Sequence, residues 1–239
     1  MLFGPAGRAL YGVFHAATQG TSRLAVLIAH PVPDQYMRLR WAHQQLAEML
    51  AREGHPVLRF DWWGTGDSGG NLESATLSTW IGDVALAVAE LKEAAGVASI
   101  AAVGLGVSGS VVALATARGL AVDHLLLVDP VVRGARPSKA PGLALNSEID
   151  APAAMRKELA SIDLCSELPR CKDALLILDT APDEGSAGAL AERLIATGQR
   201  VRLRRVPEAS DPFPGQLDEA MLSNALPEAV VRLLSERNR

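Results

Sequence analysis

The run Ile100–Ala117, IAAVGLGVSGSVVALATA, decides how the rest of the chain is read. It opens as an apolar stretch of the kind found in strands covered on both faces. It then turns on glycine and continues as a helix of small residues. Two chemistries use such a strand-turn-helix junction. A G-x-S-x-G turn presents a nucleophile at the end of a sheet. A G-x-G-x-x-G turn seats a pyrophosphate on a helix N-terminus. Gly104, Gly106 and Gly109 fit the second pattern letter for letter and the first imperfectly.

The flanking chain alternates strands and helices. Met1–Phe3 and Ala9–Ala17 are β-like and separated by Gly4-Pro5-Ala6-Gly7, which is hairpin punctuation. LAVLIAH (Leu24–His30) is an apolar strand. Tyr36–Arg52 is expected to be helical, capped by Asp34, with Leu39, Ala42, Leu46 and Leu50 on one face. Val57–Asp61 is the next strand and WWGTGDSGGN (Trp62–Asn71) a glycine-rich loop. Leu77–Ala95 is a helix with Trp80, Val84, Val88 and Leu91 aligned. HLLLVD (His124–Asp129), Ala174–Asp179 and Val201–Val206 are further strands, Ala187–Thr197 a helix, and Pro227 opens a closing helix to Glu236. Residues 131–170 are irregular apart from a helix at Pro152–Leu159, and read as a lid or cap inserted into one domain spanning 1–239. This alternation implies a mostly parallel, doubly wound α/β sheet with an N-terminal hairpin. Ligands in such sheets sit beyond the carboxyl ends of the strands.

Bulk properties narrow the partners. The chain has 239 residues, 23 basic and 27 acidic, and a formal net charge of −4. That balance gives no electrostatic footprint for nucleic acid or an anionic membrane. Two cysteines, Cys165 and Cys171, are too few for a disulfide scaffold or a structural zinc site. The N-terminal residues lack a signal-peptide apolar region, and no run is long enough to span a bilayer. The expectation is a cytoplasmic protein without metal or cofactor.

The segment VLRFDWWGTGDSGG (Val57–Gly70) resembles the F-D-x-x-G-x-G-x-S loop of the α/β-hydrolase superfamily, and IAHP (Ile28–Pro31) resembles its oxyanion loop. HPVPDQYMR (His30–Arg38), GTGDS (Gly64–Ser68) and VDPVVRG (Val128–Gly134) are similar to a bacterial subgroup found with exosortase and polyketide-type gene sets. The resemblance implies an α/β-hydrolase fold with an acyl ligand, ester or thioester, free or carrier-linked. It puts Gly106 at the nucleophile position, with the Val107 N–H beside an oxyanion hole shaped by His30 and Pro31. It puts the acid at Asp183 and Asp211 where the family has its late histidine. The superfamily order is serine, acid, histidine. Here the five histidines end at His124. A carboxylate with a pKa near 4 is a poor base for a serine hydroxyl compared with imidazole.

The implied reading is a hydrolase fold with a degenerate triad, a pseudo-hydrolase or accessory protein. One alternative shifts the register so that Ser108 is the nucleophile of an unconventional hydrolase or acyltransferase, with His30 as a substitute base. Another is dinucleotide binding through Gly104, Gly106 and Gly109, with Asp129, about 20 residues further on, at the ribose. Trp62 and Trp63 are candidate walls of an apolar ligand site, with one of them packing beneath the loop. Asp61 is expected to hold backbone N–H groups of the glycine loop, and Asp67 and Ser68 to brace its turn.

Overall fold

Side chains alternate across a strand, and in this chain both sets are apolar. Leu24–Ala29 (β3) sends Ala25, Leu27 and Ala29 into one core and Val26 and Ile28 into another. Ser99–Leu105 (β5) divides likewise, Ile100 and Ala102 against Ala101, Val103 and Leu105. A strand buried on both faces needs helices on both, and that requirement sets the layers.

The computed structural model describes residues 1–20, 22–31, 33–134, 152–179 and 186–205, together with 228, 230–232 and 234; for 33–39, 178–179, 186 and 205 it describes the backbone alone. The remaining strands are Leu2–Phe3 (β1), Leu10–His15 (β2), Val57–Phe60 (β4), His124–Val128 (β6), Ala174–Asp179 (β7) and Val201–Arg205 (β8). They form one sheet of eight strands in the order β1-β2-β4-β3-β5-β6-β7-β8. β2 runs antiparallel to β1 and to β4, and every other pairing is parallel.

The helices are Pro33–Arg52 (α1), Leu77–Ala95 (α2), Gly106–Ala117 (α3), Ala153–Ala160 (α4) and Ser186–Ala196 (α5). α1 covers one face through Leu46 and Leu50, alongside helical residues Val230 and Leu234. α2, α3, α4 and α5 share the core of the other face. α1 starts at Pro33, earlier than the expected Tyr36, because a proline fits the first turn, where its missing N–H is not needed. Asp34 therefore lies inside the helix.

The ends of the expected insertion belong to the body of the fold. Val132 and Gly134 exchange backbone hydrogen bonds with Leu164 and Ile162 at 2.9 and 2.8 Å. Met155 and Leu159 of α4 are buried in the larger core, and the Glu158 carboxylate accepts the Leu77 N–H at the start of α2. Residues 135–151, the middle of the expected lid, lie outside the described residues.

Chain order reverses between β3 and β5. β3 leads through α1 to β4 on one side, and the chain then returns through α2 to β5 on the other. The carboxyl ends of β3 and β5 therefore flank the topological switch point. There β5 and α3 approach more closely than side chains permit. A Cβ on Gly104 would fall 2.5 Å from the Gly109 Cα, and one on Gly109 would fall 2.7 Å from the Gly104 carbonyl oxygen. Gly104→Ala is expected to cost about 1–3 kcal/mol through overpacking, read as an earlier urea midpoint with an unchanged denaturant slope.

Candidate functional site

Three strand ends converge at the switch point: His30 and Pro31 after β3, Asp61 after β4, and Gly106 after β5. Gly106 begins α3 with φ +56°, a left-handed conformation in which a side chain is strained. Asp129, directly after β6, has φ +42°, the one positive φ at a non-glycine among the described residues. Leu105 precedes α3 and makes no side-chain capping bond. Val107 follows as a buried residue of the first helical turn.

Ser108 does not face a cleft. It is fully buried, and its Oγ donates to the Leu105 carbonyl at 2.7 Å. Ser110 is buried as well, and its single hydroxyl proton has the carbonyls of Val131 and Gly106 within reach, at 2.9 and 3.2 Å. Both hydroxyls brace the junction between strand and helix. The shifted-register alternative, with Ser108 as nucleophile, would have to draw on a hydroxyl that is buried and already donated. The shift moves the serine into the helix, where the nearest acceptor is its own preceding turn.

His30 is equally committed. Its Nδ1 lies 2.6 Å from Asp61 Oδ1 and its Nε2 3.3 Å from Arg59 Nη1. The ring edge meets His43 at a centroid distance of 5.9 Å, and the backbone carbonyl accepts the Trp62 indole N–H at 2.8 Å. With both ring nitrogens engaged in the sheet, the Ser108–His30 pair does not form. His30 instead anchors the loop after β3.

Asp61 organises the glycine loop. Oδ2 accepts the Asp67 N–H at 3.0 Å, and its own carbonyl accepts the Ser68 hydroxyl at 2.7 Å. Ser68 Oγ in turn accepts the Tyr11 N–H at 2.8 Å. Gly66, at φ +52°, lies so close over the Asp61 carboxylate that no Cβ would fit.

The two tryptophans differ from each other. Trp62 is fully buried, stacked on Trp80 at 5.4 Å and edge-on to Phe60 at 4.9 Å. It belongs to the core beneath the site. Trp63 is half-buried, with Gly69 and Gly70 passing against its ring. The absence of a Cβ at those glycines lets the loop lie flat on the indole.

Two buried ions were not singled out in the sequence reading. Arg59 sits in the middle of β4, 6% exposed, with Nε donating to His15 Nε2 at 3.1 Å. Asp83 of α2 is fully buried. It accepts Arg8 Nη2 at 2.7 Å through Oδ1 and the Trp63 N–H at 2.9 Å through Oδ2. A charged residue inside an otherwise apolar strand or helix face was the available signal for both.

Asp183 and Asp211 lie outside the described residues. Gly104 and Gly109 are accounted for by their mutual contact and Gly106 by its φ, so the G-x-G-x-x-G spacing here needs no phosphate to explain it. Among the described residues, no group of three or more His, Cys, Asp or Glu is arranged to hold a metal ion, and no helix is long and apolar enough to cross a membrane.

Burial raises the Asp83 pKa, against the hydrogen bonds from Trp63 and Arg8 and the Arg8 charge. A carboxyl whose folded pKa is raised stabilises the fold in its protonated form. That contribution is present below the unfolded value of about 3.9 and is lost as pH rises through the folded value. Asp83→Ala is expected to cost about 1–3 kcal/mol at neutral pH, because it leaves the buried Trp63 N–H without an acceptor, while the partly exposed Arg8 keeps the Thr79 carbonyl. Asp83→Asn, which keeps an acceptor, is expected to cost less. Its deficit relative to wild type should widen as pH is lowered, measured by urea denaturation across the acid range.

Comparison with known proteins places this geometry. The family model described as "Serine aminopeptidase, S33" matches residues 20–180. Among solved structures, the chain is similar to Est1E from Butyrivibrio proteoclasticus with bound ferulic acid. The two share 18% identity and a TM-score of 0.71, over 99% of this chain and 98% of that one. It is also similar to a thermophilic esterase from Thermogutta terrifontis with bound malate, at 20% identity and a TM-score of 0.65, over 99% and 98%. An alpha-beta serine hydrolase homologue from Coxiella burnetii matches at 18% identity and a TM-score of 0.63, over 98% and 96%. No curated protein matches.

Proposed function

We propose that this chain, which belongs to the serine aminopeptidase S33 family of the α/β-hydrolase superfamily, binds a small acyl ligand at the ends of β3 and β5 without hydrolysing it through a serine triad. The carrying observation is Gly106: the turn holds the backbone of a nucleophile-bearing junction, at φ +56°, with no side chain on it. Ser108, the nearest hydroxyl in sequence, is buried and donated to Leu105. His30, the imidazole on the same edge, is held between Asp61 and Arg59. In this reading Asp183 stands at the acid position and Asp211 at the histidine position, and a carboxylate there supplies no imidazole base.

The ligand class follows from what the junction retains. An α-helix N-terminus favours a partial negative charge, and the Val107 N–H lies in the first turn of α3. His30 and Pro31 form the facing loop. A helix N-terminus of this kind suits the carbonyl of an ester or thioester, free or linked to a carrier. Est1E with bound ferulic acid and the Thermogutta esterase with bound malate support a small organic acid or its ester as the ligand class. The likeness of His30–Arg38, Gly64–Ser68 and Val128–Gly134 to a subgroup found with exosortase and polyketide-type gene sets favours the carrier-linked form. In that case the protein is an accessory binder.

Turnover of p-nitrophenyl acetate and of an acetyl thioester separates the readings. Wild type and Ser108→Ala are both expected to match the uncatalysed rate, while short-chain acyl ligands raise the melting temperature. Turnover by wild type that disappears in Ser108→Ala would overturn the proposal. Gly106→Ser alone is expected to remain inactive for want of a base. Gly106→Ser combined with Asp211→His is expected to gain measurable ester hydrolysis, and equal activity in the single variant would also count against the proposal.

A further inference from the structure

The sheet buries a polar chain whose far end, at His15, the proposed function does not use. Arg59 of β4 lies between two imidazoles. Its Nε donates to His15 Nε2 at 3.1 Å, and its Nη1 faces His30 Nε2 at 3.3 Å. A guanidinium has only donors and keeps its charge. Each facing Nε2 must therefore offer a lone pair, which leaves the ring proton on Nδ1. In His30 that proton points at Asp61 Oδ1, 2.6 Å away. The second oxygen of Asp61 takes the Asp67 N–H. One directed chain thus runs from Arg59 through His30 to Asp61 and the glycine loop, with a branch to His15.

We infer that Arg59, His15 and His30 form an acid-released latch, closed while both imidazoles are neutral and opened when a proton enters at His15. His15 pairs with Val57 at the amino end of β4, opposite His30, and it is the half-buried ring of the two. A proton on its Nε2 sets donor against donor and charge against charge at the Arg59 Nε. Arg59 and His30 are 6% and 5% exposed, so little water screens that repulsion. Displacing Arg59 withdraws the donor from His30 and loosens the hold on Asp61. The loop after β3, whose His30 carbonyl carries the Trp62 indole, is freed with it.

The charged and titratable groups around the latch set its sign. On the described elements they are Arg59 and Asp61 from β4 and the turn after it, His43 and Glu48 from α1, and the two rings themselves. Burial and then the Arg59 charge hold the His15 pKa below its ordinary value, and Glu48 pulls weakly the other way. A group with a depressed basic pKa stabilises the fold in its neutral form. That contribution is whole above the unfolded value of about 6.5 and is lost as pH falls from there through the folded value.

Two measurements on the full chain test the latch. Long-range proton–nitrogen NMR of uniformly labelled wild type above neutral pH is expected to show His15 and His30 both as Nδ1–H tautomers. An Nε2–H signal from either ring would overturn the inference. Urea denaturation between about pH 7.5 and pH 5 then compares wild type with His15→Asn, which keeps an oxygen acceptor for Arg59 but cannot titrate. The folded-to-unfolded ratio of wild type is expected to fall several-fold more than that of the variant. Parallel curves would overturn the inference. If His15→Asn does not fold, the tautomer measurement on wild type still decides.

Discussion

Backbone contact between β5 and α3 governs the centre of this molecule. Gly104 and Gly109 touch without side chains, so the helix is drawn directly onto the end of the strand. The chain can make so abrupt a turn only through a residue tolerant of positive φ, which is Gly106. Close approach leaves α3 no exposed face: Gly106 to Thr116 are all buried. It also turns Ser108 and Ser110 inward, where their hydroxyls satisfy carbonyls of the strand end, the helix and the segment after β6. The turn from β5 into α3 is thus packed on all sides.

Around that contact, the polar groups have been drawn into the scaffold. Asp61 holds the glycine loop and His30 together, Arg59 supplies the opposing charge, and Asp83 ties Trp63 and Arg8 to α2. Buried ions of this kind persist only when their lone pairs and protons are matched, and unpairing one is costly. These pairings tie the ends of β3 and β4 and the start of α2 to one another.

Much of the architecture was legible from the chain. The runs LAVLIA and IAAVGL are apolar at every position, and a strand apolar on both faces belongs inside a parallel sheet. Trp80, Val84, Val88 and Leu91 recur at helical spacing and are buried on one face of α2, as expected. Asp61 was read as the support of the glycine loop, and it is. Trp62 is the tryptophan that packs inward, a choice between the pair that composition left open. Its neighbours Trp80 and Phe60 close over it from a helix and a strand.

The sequence by itself determined the layer order, the glycine turn at the switch point, and the lack of any histidine beyond His124. Those features are local: periodicity, turn chemistry and residue identity are written along the chain. Only the tertiary structure decided the partners. Arg59 meets His30 from 29 residues away and His15 from 44, and Arg8 reaches Asp83 across 75. No spacing rule encodes such pairings. They form because a buried charge must find a counter-charge or a lone pair, and the sheet order determines which groups come within reach.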